Sequence, residues 1–254
     1  MPAIGAHTHS ADPLQEAAQS GAEAVQFFLG DPQGWKKPPP HPFAEGLGAT
    51  ELVKYVHAPY LVNVATTNNR IRIPSRKILA EHAAGAAALG AKGLIVHGGH
   101  VGDGDDPAKG FENWRKVFER DTFPVQILIE NTAGGENAMA RRFDRLARLW
   151  EAVGEFGVGF CLDTCHAYSA GEDLDGIVER VLAITGRIDL VHANSSRDPF
   201  DSGADRHANY DAGTIDAALI ADVCGAAGCD VIVETPGGAD GTGADMDYLR
   251  DRLR

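Results

Sequence analysis

The chain has 254 residues, 44% of them hydrophobic, with 23 basic against 36 acidic side chains and a formal net charge of −13. That length suits one α/β barrel, and no apolar run is long enough to span a bilayer. On its face the acidic balance argues against a nucleic-acid partner, because phosphate binding is largely electrostatic, but net charge says nothing about distribution.

Along the chain, short β-branched runs alternate with helical patterns. Strands are expected at AIGAHTH (3–9), AVQFFLG (24–30), LVKYVHA (52–58), GLIVHGG (93–99), VQILIEN (125–131), VGFCLDT (158–164), DLVHANS (189–195) and DVIVETP (230–236). Helices are expected at 75–90, 111–121, 140–154, 173–186, 214–228 and 244–254. Near-continuous apolar strands joined by helices mean a parallel sheet covered on its faces. Eight such units over residues 1–254 predict a single-domain (β/α)8 TIM barrel. An open doubly wound sheet is the alternative, but no glycine-rich turn follows the first strand. Cys161, Cys165, Cys224 and Cys229 form no CxxC pair and read as free thiols in a reducing cytoplasm. The N-terminal segment lacks a basic region followed by an apolar stretch, so no secretory signal is expected.

The strand ends carry the chemistry. Strand three ends at His57, four at His97, five at Glu130, six at Asp163 with His166 just beyond, seven at His192 and eight at Glu234. Asp205 and His207 sit in the loop after strand seven. A barrel builds its active site from the C-terminal strand ends and the loops that follow. A single His or Asp at a strand end is more often a cap or a satisfied core contact, but that does not extend to six successive strands. Five imidazoles and four carboxylates suit zinc, iron, copper or nickel better than magnesium or calcium. Nine residues hold three metals naturally if one carboxylate bridges, and two metals with spare ligands remain open. Close metal pairs serve displacement at phosphorus, so metal-dependent phosphoester hydrolysis is expected. His7 and His9 lie on alternate residues of the first strand, where His7 is placed to support the ligands.

The basic residues cluster. NNRIRIPSRK (68–77) holds Arg70, Arg72, Arg76 and Lys77 with no acid, and Arg197 and Arg206 flank the late loop. Gln33 and Trp35 occupy a turn-rich loop after strand two, and Tyr60 lies just past His57.

The motifs VHAPYLVN (56–63), RIPSRKIL (72–79), IVHGGH (95–100), IENTAGG (129–135), FCLDTCHAYSAG (160–171), DLVHANSSRD (189–198), DRHAN (205–209) and VIVET (231–235) resemble the endonuclease IV family of apurinic/apyrimidinic endonucleases, and its actinobacterial branch in particular. The resemblance covers essentially the whole length. It implies a bacterial, cytoplasmic, monomeric enzyme that joins the nucleoid when acting on double-stranded DNA with abasic or damaged sites. It implies three zinc ions: one on His57, His97 and Glu130; one sharing Glu130 and adding Asp163, His192 and Glu234; one on His166, Asp205 and His207. Glu130 would bridge two ions and orient the nucleophile. The third ion would stabilise the leaving oxygen. Gln33, Trp35, Tyr60, Arg70, Arg72 and Arg206 would contact DNA. The sequence departs from the family at Asn194-Ser195, at Tyr210-Asp211-Ala212-Gly213 and at Gly30-Asp31-Pro32-Gln33-Gly34-Trp35, and the added acids Asp31 and Asp211 are expected near the DNA. A metal-dependent sugar isomerase or epimerase on a similar barrel is the second reading, though it needs fewer ligands.

Overall fold

The computed structural model describes residues 1–253. Eight parallel strands close on themselves: β1 (Ile4–His7), β2 (Ala24–Phe28), β3 (Val53–His57), β4 (Gly93–His97), β5 (Gln126–Glu130), β6 (Gly159–Asp163), β7 (Leu190–His192) and, after two short strands, β10 (Asp230–Val233), which pairs with β1. The helices between them include α1 (Pro13–Ser20), α2 (Ala44–Ala49), α3 (Asn69–Ala88), α4 (Pro107–Arg120), α5 (Phe143–Val153), α6 (Thr164–Ser169), α7 (Ile177–Thr185), α8 (Ala217–Ala227) and α9 (Gly238–Leu253). The barrel expected from the sequence is therefore present. Aspartates start several helices: Asp12, Asp106 and Asp216 accept backbone N–H groups at the openings of α1, α4 and α8, with a proline in the first turn of α1 and α4.

Successive strand residues face opposite sides, and here each face has one job. Outward residues such as Leu94, Val96, Ile127 and Ile129 pack with the helices in one apolar layer. Inward residues stack in levels inside the barrel. Ala24, Tyr55, Ile95, Leu128, Cys161, Leu190 and Ile232 fill the lumen. Two residues further along the same strands stand Gln26, His57, His97, Glu130, Asp163, His192 and Glu234. The apolar plug is thus the floor of a polar layer. Gly5 is required in this packing, because a Cβ there would lie 1.8 Å from the Ala24 carbonyl oxygen.

Two further strands were not expected. β8 (Ser195–Ser196) and β9 (His207–Ala208) form an antiparallel ribbon that pairs Ser196 with His207. It carries His207, with Asp205 beside it, back over the barrel mouth.

Candidate metal centre

Glu130 is fully buried at the end of β5, and its two carboxylate oxygens face different imidazoles. Oε2 lies 3.2 Å from Nε2 of both His57 and His97. Oε1 lies 2.9 Å from His192 Nδ1 and 3.3 Å from His166 Nδ1. Burial alone would raise this carboxyl, yet the His192 and His97 imidazoles hold it well below the usual carboxylate range.

Asp163 has a double role. Its Oδ1 accepts the His166 backbone N–H at 2.6 Å and so caps α6, which places His166 on the first turn. Its Oδ2 accepts from Asn194 Nδ2 at 2.7 Å and lies 3.9 Å from His192 Nδ1. Burial raises the Asp163 carboxyl. Burial also opposes charge on His166 and His192. The Asp163 and Asp205 carboxylates around the first, and Cys161, Glu234 and Glu130 around the second, nevertheless raise both well above ordinary histidine.

Five overlapping clusters emerge, each with possible ligand atoms within 4.8 Å of one another: His57, His97 and Glu130; Glu130, Asp163, His192 and Glu234; His166, Asp205 and His207; and, with a thiol, Glu130, Cys161 and His192, and Asp163, Cys165 and His207. The donor chemistry fits a divalent cation. His57 Nδ1 lies 2.7 Å from the Ala58 carbonyl and His166 Nδ1 lies 2.9 Å from the Asn131 carbonyl. A carbonyl only accepts, so Nδ1 donates in both, and in the neutral ring Nε2 is left with its lone pair. His57 Nε2 then faces a carboxylate oxygen that also has only lone pairs, and a cation or a second proton must lie between them. The buried Nε2 atoms of His166 and His207 make no hydrogen bond, although Asp205 Oδ1 lies 3.0 Å and 3.4 Å away. Imidazole and carboxylate together suit zinc or another first-row metal. Cys165 is buried within reach of Asp163 and His207, with Sγ 4.0 Å from the Arg206 carbonyl, and burial pushes its thiol up to about 12.

The clusters open into a cleft of about 420 Å³ whose walls include His7, His9, Tyr60, Arg197, Arg206, Thr235 and Pro236. The Xylose isomerase-like TIM barrel family matches residues 14–252. The protein described as probable endonuclease 4 of Mycobacterium bovis (strain BCG / Pasteur 1173P2) is 56% identical over 250 residues, covering 98% of each chain. That of Mycobacterium leprae (strain TN) is 53% identical over 249 residues, also 98% of each. The crystal structure of endonuclease IV from Thermus thermophilus superposes with a TM-score of 0.84 at 30% identity, covering 99% of both chains. The chain belongs to the endonuclease IV family. It is accordingly an enzyme of the nuclease class. A D-tagatose 3-epimerase-like protein shares the fold with a TM-score of 0.81, but at 18% identity it shows the fold alone.

The outer residues divide. Tyr60 is 54% exposed on the cleft wall, with ring centroids 5.6 Å from His57 and 5.8 Å from His97. Its backbone N–H donates to the Pro32 carbonyl at 2.9 Å, which seats the loop of Gln33 and the exposed Trp35 alongside. Arg206 lines the cleft but its guanidinium is held by Asp198. Arg70 and Arg72 are at the start of α3 and neither lines the cleft; Arg70 is exposed, while Arg72 bonds Asn113 of α4 and Asn69. Arg76 pairs with Asp121 at 3.0 Å. Two of the four bases in 68–77, Arg72 and Arg76, therefore hold α3 in place. Ser195 is buried, its hydroxyl exchanging bonds with the Ile215 backbone, and Tyr210 is buried with its hydroxyl on the Ala193 carbonyl. Asp211 borders a separate hollow beside Tyr248.

Three residues of the polar layer had escaped the reading of strand ends. Gln26 bonds His192 and Glu234, Asn194 spans Asp163 and Glu234, and the Asn131 amide exchanges bonds with the Asp163 backbone. The signal for Gln26 was available: an amide within AVQFF, on the same strand face as lumen residues, has to be satisfied internally.

Proposed function

We propose that this chain, acting as one domain and as a monomer in the bacterial cytoplasm, is a zinc-dependent DNA repair endonuclease. It cuts the phosphodiester 5′ to an abasic site and leaves 3′-hydroxyl and 5′-deoxyribose phosphate ends. The observation that carries this reading is the split carboxylate of Glu130, one oxygen turned to His57 and His97 and the other to His192. Such a carboxylate would be able to serve two cations at once.

In this reading His57, His97 and Glu130 hold one ion, Glu130, Asp163, His192 and Glu234 the second, and His166, Asp205 and His207 the third. Bound there, zinc supplies charge for the scissile phosphate and lowers the pKa of the attacking water. Glu130 keeps two of these ligand sets in register and orients the nucleophile. Asp163, clamped by the α6 backbone and by Asn194, cannot swing away. Tyr60, with Gln33 and Trp35 on the adjoining loop, offers surfaces that a displaced nucleotide and its flanking bases pack against. Arg70 and Arg206 supply phosphate contacts, and Arg72 acts indirectly by fixing the start of α3. His7 stands behind Glu234, its Nδ1 3.3 Å from Oε1.

The test is cleavage of a duplex bearing one abasic-site analogue, with untreated, metal-stripped and zinc-restored protein. Cutting that disappears on stripping and returns with zinc supports the reading. Intact duplex under all three conditions, with a sugar epimerised instead, transfers the assignment to the epimerase class.

A further inference from the structure

Gln26 is fully buried in β2, and the two ends of its amide face different partners. Nε2 donates to Glu234 Oε1 at 2.7 Å and stands 2.9 Å from His7 Nδ1. Oε1 stands 2.8 Å from His192 Nε2. A carboxylate oxygen only accepts, so the amide has one sensible orientation. Turned over, its carbonyl would oppose the Glu234 carboxylate. With the carbonyl toward His192, Nε2 of that imidazole must carry the proton and donate it. His192 Nδ1 is then the lone-pair atom, and it lies 2.9 Å from Glu130 Oε1, 3.2 Å from Glu234 Oε2 and 3.9 Å from Asp163 Oδ2.

We infer that Gln26 is a positioning residue that holds His192 as the Nε2–H tautomer and so commits Nδ1 to the cation shared by Glu130, Asp163 and Glu234. The same amide restrains Glu234 by bonding Oε1, which leaves Oε2 to turn toward His192. One side chain thus orients two ligands of one ion. Outer partners of this kind raise ligand basicity and typically change metal affinity 10–100-fold. The inference rests on the metal-binding reading above and adds to it a residue that need touch neither metal nor substrate.

The experiment compares zinc retention in the parent, Gln26→Met and Gln26→Glu, each zinc-loaded and then dialysed against graded concentrations of a competing chelator. Methionine keeps the volume and removes both hydrogen-bonding ends. Glutamate keeps an acceptor for His192. One class of zinc should be released from Gln26→Met at a roughly 10–100-fold lower chelator concentration, with the remaining zinc unchanged, and from Gln26→Glu as well, because its second oxygen would oppose the Glu234 carboxylate. A merely structural role would instead lower the unfolding midpoint of the metal-free protein and leave zinc affinity as in the parent. Long-range 1H–15N spectra of the zinc-loaded parent need no variant and should show the His192 proton on Nε2. Equal zinc release from all three proteins, or a proton on Nδ1, overturns the inference. A parent that retains no zinc at all overturns the metal reading itself.

Discussion

Glu130 Oε2 lies 3.2 Å from His57 Nε2, while the His57 ring proton points the other way, to the Ala58 carbonyl 2.7 Å from Nδ1. In the neutral ring two lone pairs face each other across that gap. The same carboxylate meets His192 through its other oxygen. A dication between these groups would satisfy both lone pairs at once.

Glu130→Gln should accordingly do more damage than His207→Ala. A neutral amide bridges two cations badly, so two ligand sets suffer at once, whereas His207 belongs to one. The expected result is a loss of activity at least tenfold greater for Glu130→Gln, with about two zinc ions missing per chain against one, by analogy with the affinity changes seen around metal ligands. Elemental analysis beside single-turnover cleavage checks it. Equal metal content in the two variants would remove the bridging role.

His82 gives a pH dependence separate from the cleft. It is buried in α3 with Nδ1 unpaired, and burial lowers it from 6.5 to about 4. The folded chain therefore keeps it neutral while the unfolded chain protonates it below 6.5. The stability it contributes is complete above that pH and is lost as pH falls toward 4. The loss approaches about 3 kcal/mol at the acid end. Denaturant unfolding of metal-free parent and His82→Leu across this range should show the parent falling more steeply. Parallel curves would mean that His82 is solvated or paired in the folded protein.

Gly5→Ala should be poorly tolerated. The added methyl would sit 1.8 Å from the Ala24 carbonyl oxygen, inside the β1–β2 pairing. Backbone cannot give way as a side-chain tip can, so the cost is at least about 1–3 kcal/mol. Thermal unfolding measures it directly, and an unchanged midpoint would show that the two strands separate freely.

The acidic loops call for unequal effects. Asp31 accepts the Gln33 backbone N–H at 2.9 Å in the loop that leans on Tyr60, whereas Asp211 faces the hollow beside Tyr248. Asp31→Asn keeps that turn and removes a charge beside the proposed DNA path. It should tighten abasic-duplex binding by about 0.2–1 kcal/mol, most visibly at moderate salt. Asp211→Gly should leave binding unchanged. Titrations over a salt series compare them, and tightening by Asp211→Gly alone would place the DNA on the other rim.

The barrel was legible because its strands were written as near-continuous apolar runs, six of them in succession closing on an ionisable residue. His57, His97, Glu130, Asp163 and His192 end their strands as the sequence pattern implied, and Glu234 follows β10 directly. What the pattern could not supply was the third dimension of the loops. The β8–β9 ribbon is two residues on each side, too short to leave a periodic signal, yet it decides where His207 sits. Arg72 and Arg76 looked like a basic strip because sequence shows charge and hides partners; Asn113 and Asp121 lie about forty residues away. Gln26 was hidden for a different cause. Its chemistry comes from the strand register that sets it beside His7, and from the closure that brings β7 within reach.

The most direct test of the account is scission of a 5′-labelled duplex with a single abasic-site analogue, read for the position and chemistry of the new ends. Zinc-loaded protein should make one cut on the 5′ side of the analogue and leave a 3′-hydroxyl that a polymerase extends. Stripping the metal should abolish the cut, and added zinc should restore it. A cut on the 3′ side, a 3′ end that no polymerase extends, or undiminished cutting by metal-free protein would contradict the account.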